Sequence, residues 1–320
     1  MMNITRKATS AILAIGAAFS CSLSPAQSLE ITVPGGPGSG QDQFARAIAA
    51  VLASEKLVRN VQVQNISGGA GQIALAQFIS SKEGNGSAII TQGIGMVIAP
   101  ISNKTDQNLR DVTQVARLVS EYEVIVTRSD SGINSVEDLR SRYKANPASV
   151  TFAGGGVGGT AHVFAANIVK AAGLDASRLH LVPFANTGEI VVGLLSGEAL
   201  IGLGGYQDFA QQIERGKLRL LGIAAPQRIR TINGPTLREQ GLDVVFSNWR
   251  GVSAHRSLSE DQLKRLDETF QKLAKSPAWQ KLLAERSWID SYLPRAEYKA
   301  FVEAERTRAE GALRAVGVIK

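Results

Sequence analysis

Three glycine-rich stretches, each set between a short apolar run and a segment of helical periodicity, constrain the fold of this chain more than any other feature. Gly35-Gly36-Pro37-Gly38-Ser39-Gly40 follows the run Leu29-Glu30-Ile31-Thr32-Val33. It leads into residues 41–55, where Phe44, Ile48, Val51 and Leu52 recur on one helical face. Asn65-Ile66-Ser67-Gly68-Gly69-Ala70-Gly71 stands between a strand-like run at 61–64 and a helical one at 73–81. Gly154-Gly155-Gly156-Val157-Gly158-Gly159 stands between 151–153 and 160–172, with Val163, Phe164, Ile168 and Val169 inward. Strand, tight turn and amphipathic helix in repetition predict a parallel sheet covered by helices. Each turn also leaves backbone N–H groups at a helix N-terminus, where the helix dipole favours an anion.

The alternation continues along the chain. Apolar strands are expected at 88–91 and 124–127, and a helix over 135–144 opens on Ser135-Val136-Glu137-Asp138. Strands follow at 179–183, 200–203 and 218–224, with helices at 189–195 and 207–215 and Gly216 placed for a C-cap. The last part is helical: Ser259 and Gln262 form a capping box, Ser276-Pro277 starts a helix, and 295–315 reads as a long final one. There is no internal repeat and no low-complexity linker. Two α/β units without a flexible linker predict two lobes joined by crossing strands.

The first residues read as an export signal. Arg6 and Lys7 precede an apolar stretch, 11–19, too short to span a bilayer, and Ser24-Pro25-Ala26 offers small residues for cleavage after Ala26. The expected compartment is the periplasm. Cys21, the only cysteine, lies in a weak lipoprotein-like box, and lipid anchoring there is the lesser expectation. Without residues 1–26 no disulfide is possible, so stability rests on core packing. The formal charge of +7 is spread along the chain with no basic stripe interleaved with aromatics, which argues against nucleic-acid binding and suits a small anionic ligand.

The catalytic inventory is thin. His162, His180 and His255 are scattered, no zinc-protease or nucleophile-elbow motif occurs, and no cysteine pair is available for zinc. A P-loop would need Lys-Ser or Lys-Thr where Gln41-Asp42 stand. Gly156-Val157-Gly158-Gly159-Thr160-Ala161 fits a dinucleotide fingerprint, with Asp175 near the spacing of a ribose-binding acid, so a dinucleotide site is the alternative reading, alongside a cryptic hydrolytic site. Asp42 and Glu189 are acids near loops, suited to orienting loop amides or a ligand hydroxyl. No cofactor and no metal are expected.

The chain resembles the solute receptors of tripartite tricarboxylate transporters, also called Bug proteins, over nearly all of residues 29–318. Val33, Pro34, Pro37, Gly38, Gly40 and Asp42 match the family's Val-Pro-x-x-Pro-Gly-x-Gly-x-Asp motif without gaps. Residues 65–71 resemble its Glu-Asn-x-Pro-Gly-Ala-Gly-Gly turn, with Gln64 and Ser67 in place of Glu and Pro. The glycine-rich loop up to His162, Val182-Pro183-Phe184, Gly216-Lys217-Leu218-Arg219 and Pro235-Thr236-Leu237-Arg238-Glu239-Gln240-Gly241 follow in family order. Asp42-Gln43, Gly205-Tyr206 and Asn248-Trp249-Arg250-Gly251 look most like the tricarboxylate-receptor branch. Around the pocket, Gln41 stands for an aromatic, Ala161 for an Asp, Asn186-Thr187 for Gly-Gly and Gly204 for Ser.

The resemblance implies a two-lobed periplasmic-binding-protein (Venus flytrap) α/β fold, each lobe a mixed sheet flanked by helices. It implies 29–127 with 249–320 as one lobe and 128–248 as the other, with the ligand held in the cleft by loop amides. The candidate binding residues are Gly36, Gly38, Ser39, Gly40, Gln41 and Asp42 in the first loop and Gly69 in the second. Gly156, Val157, Gly158 and Thr160 follow in the third, with Thr187, Gly204 and Tyr206 at later strand ends. The expected ligand is a di- or tricarboxylate of the citrate type, with apolar aromatic acids second. A monomer working with the membrane permease subunits of such a transporter is expected, not an enzyme.

Overall fold

The computed structural model describes residues 28–286 and 288–320. The expected export signal, its expected cleavage site and Cys21 lie outside these residues. The chain runs β1 (Leu29–Val33), α1 (Gly40–Ser54), β2 (Val61–Asn65), α2 (Gln72–Ser81), β3 (Ala88–Gly93), α3 (Ile94–Asn103) and β4 (Val112–Arg128). It continues through α4 (Val136–Ala145), β5 (Thr151–Gly154), α5 (Thr160–Ala171), β6 (His180–Pro183), α6 (Thr187–Ser196), β7 (Ile201–Gly205), α7 (Tyr206–Glu214) and β8 (Leu218–Ile223). The last elements are β9 (Ser247–His255), α8 (Glu260–Lys275), α9 (Pro277–Glu285), β10 (Ile289–Leu293) and α10 (Arg295–Ala315).

The strands form one curled path, β2-β1-β3-β9-β4-β7-β5-β6, with β8 and β10 also paired to β4. The parallel units expected from sequence are present, β1 with β2 and β3, and β5 with β6 and β7. Between them come antiparallel strands: β9 against β3 and β4, and β4 against β7 and β8. The sheet is therefore mixed.

β4 is far longer than the 124–127 run visible in the sequence. Its first part pairs with β9 from Val112 to Tyr122, and its last part, from Glu123 on, pairs with β7 and β8. Three chain segments meet where the partners change: the Glu123 amide donates to the Phe246 carbonyl, the Phe246 amide to Ala224, and the Ala224 amide back to Glu123, at 3.2, 2.9 and 2.8 Å. Ala224 and Phe246 lie just beyond the ends of β8 and β9.

Local chemistry explains the helices. Ser39, Ser135, Asn186, Ser259 and Ser276 each cap a helix by accepting an amide of its first turn. The apolar face of α1 packs with Phe270, Trp279 and Leu283 of α8 and α9 on one side of the sheet. Burying each such side chain contributes roughly 1.5–3 kcal/mol. On the other side α3, α5 and α10 share an apolar layer, in which Phe164 stacks on Phe246 at 4.9 Å. No helix among the described residues is long and apolar enough to cross a membrane.

Candidate functional site

The carboxyl ends of β1, β2 and β3 open on one edge of the sheet, and the α1, α2 and α3 N-termini begin there. Facing them is the start of α5, from the other parallel unit. Between the two lies a cleft of about 350 Å³. Its walls are Pro34, Gly35, Ser39, Gly40 and Gln41 of the β1–α1 turn, Ala70, and Gly93, Ile94, Gly95 and Met96 at the start of α3. Asn248 and Arg250 of β9 and Thr160 of α5 complete it. The sequence reading gave no helix at 94–103, so it missed the α3 N-terminus. That helix is apolar on nearly every side because it is buried between layers, and Gly95 and Pro100 further mask its period.

The first loop is held by Asp42, which is buried and fully engaged. It accepts the Gly38 amide at 2.8 Å, Asn65 Nδ2 at 3.0 Å and Arg46 Nε at 2.9 and 3.0 Å. The Arg46 hydrogen bond, then the Gly38 amide, draw its pKa down to about 2, against the opposing effect of burial. Asp42 is thus spent on shaping the loop. Gly38 needs glycine, because its φ is +81°. We expect Asp42→Ala to lower stability by about 3 kcal/mol, since two amide donors and a guanidinium lose a charged acceptor. Urea denaturation measures it, and a loss under 1 kcal/mol would show that the clamp is dispensable.

The same device recurs four residues after a loop amide elsewhere. Glu189 accepts the Ala185 amide at 3.0 Å, and His162 Nδ1 accepts the Gly158 amide at 3.0 Å. Burial holds the His162 ring below its ordinary pKa and so keeps it neutral, as an acceptor at Nδ1 must be. Gly158 has φ +79° and packs against Ser102 of α3 and Val318 of the C-terminal tail.

Of the sequence candidates, Ser39, Gly40, Gln41 and Thr160 line the cleft together. Gly36 lies against Ser67, and Gly69 begins the short 3₁₀ turn before α2. Gly156 and the exposed Val157 form the outer part of the third loop. Thr187 is the first residue of α6, beyond its Asn186 cap. Gly204 sits within β7, where a side chain would meet the Phe209 ring and Asp208. Tyr206 lines a separate pocket of about 160 Å³ with Glu121, Tyr122 and Trp288. Asp175 caps the turn before β6 by accepting the Ser177 amide at 3.0 Å. That places it at the opposite end of the parallel strands from the 155–159 loop, so the dinucleotide fingerprint lacks its acid.

Arg250, noted in the sequence only as part of a motif, is the charged group of the cleft. It is 7 % exposed, and its Nη2 would lie 2.9 Å from a Cβ on Gly40. Its nearest carboxylate, Glu121 Oε2, is 3.6 Å from Nη2, beyond hydrogen-bond length, and its Nη1 is buried with no partner. Glu123 and Asp208 stand behind it. Burial first, then Glu121 and Asp208, push the Glu123 carboxyl up to about 8, and burial with Glu121 raises Asp208 too. Gln41 adds a second buried, unpaired polar atom, Oε1. No cluster of His, Cys, Asp and Glu among the described residues is arranged to hold a metal ion.

Comparison with known proteins agrees with this architecture. A TctC solute binding protein from Polaromonas superposes with a TM-score of 0.77 at 24% identity, covering 91% of this chain and 99% of that one. Rpa4515 of Rhodopseudomonas palustris, solved with adipate, gives 0.74 at 21% identity over 92% and 98% of the two chains. MatC of the same organism, solved with bound malate, gives 0.70 at 21% identity over 90% and 99%. The fold is the one these solute-binding proteins share. The family model described as tripartite tricarboxylate transporter family receptor matches residues 44–318, and the chain belongs to that receptor family.

Proposed function

We propose that this protein is a periplasmic receptor, freed from residues 1–26, that captures a small di- or tricarboxylate and hands it to the permease of a tripartite tricarboxylate transporter. One observation carries the reading: the N-termini of α1 and α5, from the two parallel units, converge on a single cleft lined by Gln41 and Thr160. Each end contributes amide donors and about 0.3–1 kcal/mol toward an anion, up to about 2 when partly buried. Two such ends opposed across a cleft favour a ligand with a carboxylate at each end. The α3 N-terminus adds a third. Malate in MatC and adipate in Rpa4515 are ligands of that kind in proteins of the same fold.

The protein acts by binding, not catalysis. The lobes, taken as 29–127 with 249–320 and 128–248, close on the ligand about the crossing near Glu123. Ligand that touches both lobes favours the closed state. A thermal-shift screen tests the reading. Citrate, malate and other polycarboxylates should stabilise the native state by about 2.7 kcal/mol at a hundredfold excess over Kd. Stabilisation by amino acids, sugars or neutral amides alone would reject the carboxylate assignment, and turnover of any ligand followed by NMR would reject the receptor role.

A further inference from the structure

Arg250 is ion-paired to Glu121 at 3.6 Å yet keeps a buried donor without a partner. Its guanidinium lies against the first turn of α1, where a Cβ on Gly40 would stand 2.9 Å from Nη2. The positive end of the helix and the positive side chain therefore face the same space, and like signs repel there. The acids behind it do not complete its coordination. Glu121 stands at 3.6 Å from Nη2, and Glu123, whose burial favours the protonated form, makes no hydrogen bond to the guanidinium. Nη1 is buried without a partner, in a side chain that lines the cleft. An unpaired buried donor on a charged group is costly, and the group that relieves it is an anion carrying an accepting oxygen.

We propose that Arg250 is the charged anchor of the ligand, its guanidinium taking a carboxylate oxygen beside the α1 N-terminus. This rests on the receptor reading and extends it. Loop amides and helix ends accept any electron-rich oxygen, whereas a guanidinium donor distinguishes a carboxylate from the amide of the same shape. Arg250 therefore sets the charge that the ligand must carry at the lobe-one end of the cleft. Gln41 lines the same cleft, and its buried Oε1 also lacks a partner.

The test uses the exported chain without residues 1–26, with malate, citrate and the mono-amides of malate as probes in titration calorimetry. The unmodified protein should prefer malate to the weaker-binding of its mono-amides by at least about tenfold, as befits loss of one partner of a buried charge pair. Arg250→Gln should weaken malate at least about tenfold and bring that preference close to unity. Arg250→Lys, which keeps the positive charge among Glu121, Glu123 and Asp208, guards against misfolding of the first variant. It lacks the planar guanidinium and should also lose most of the preference. A purely structural Arg250 would weaken all probes equally and leave the ratio unchanged. That outcome, or full malate affinity in both variants, overturns this proposal alone. Failure of the unmodified protein to bind any of the carboxylates overturns the receptor reading, and this anchor with it.

Discussion

Gly251→Ala should be among the most damaging single-methyl additions to this protein. Gly251 lies in β9, paired to Gln92 of β3 on one side and to Arg117 of β4 on the other. A Cβ there would stand 2.5 Å from the Ala116 carbonyl oxygen and against the Tyr298 hydroxyl. The first obstacle is backbone in a central strand and cannot step aside. The second is a fully buried ring whose hydroxyl accepts Gln92 Nε2 at 2.7 Å, so moving it breaks a buried hydrogen bond. Overpacking typically costs about 1–3 kcal/mol, and here backbone strain and a lost bond add to it. We expect a loss of at least about 3 kcal/mol by urea denaturation. Gly311→Ala is the control. Gly311 lies within α10 with open space around it, and the same added methyl should stabilise by roughly 0.5–1 kcal/mol. Equal effects at the two sites would refute the steric argument.

Glu123→Gln should do the opposite, and only above acidic pH. In the folded chain the Glu123 carboxyl titrates at about 8, against an ordinary value of 4.5. Between these values the folded state holds a proton that the unfolded state has released. Stability therefore falls as pH rises through that window, and the full cost is reached above pH 8. Glutamine keeps a neutral group of the same shape and carries no such cost. At pH 8.5 the variant should be more stable by on the order of 3 kcal/mol, and near pH 4.5 the two proteins should be alike. Melting curves across pH measure the difference. Parallel stability profiles would mean that Glu123 ionises normally where β4 changes partners.

The parts of this fold that are legible in sequence are those held by local chemistry. Caps at Ser135, Ser259 and Ser276 and the period of α1 and α5 mark helices because the chain specifies them within a few residues. The placing of residues 41 and 160 on one cleft follows from the rule that turns after parallel strands share a sheet edge. What is not legible depends on partners distant in sequence. β9 and the first half of β4 take their strand character from each other, and β10 from β4. Arg250 escapes for a related reason. A lone arginine in a strand is ordinary, and only the fold reveals that its neighbours leave it a donor short.

The order in which the strands pair has a consequence for how the protein is made. A chain that emerges N-terminus first delivers β1, β2 and β3 early, yet β3 waits for β9, with Ile89 opposite Ala254. The segment between them contains β5 to β8, whose pairing needs nothing later in the chain. That middle portion can condense as soon as it emerges, whereas the first sheet has an open edge until residues 247–255 exist. Closing so long a loop adds little entropy cost beyond a shorter one, but it slows folding. In the interval β3, every residue of which is buried in the finished molecule, presents an unpaired apolar edge. The hazard of wrong association before β9 arrives falls on that strand.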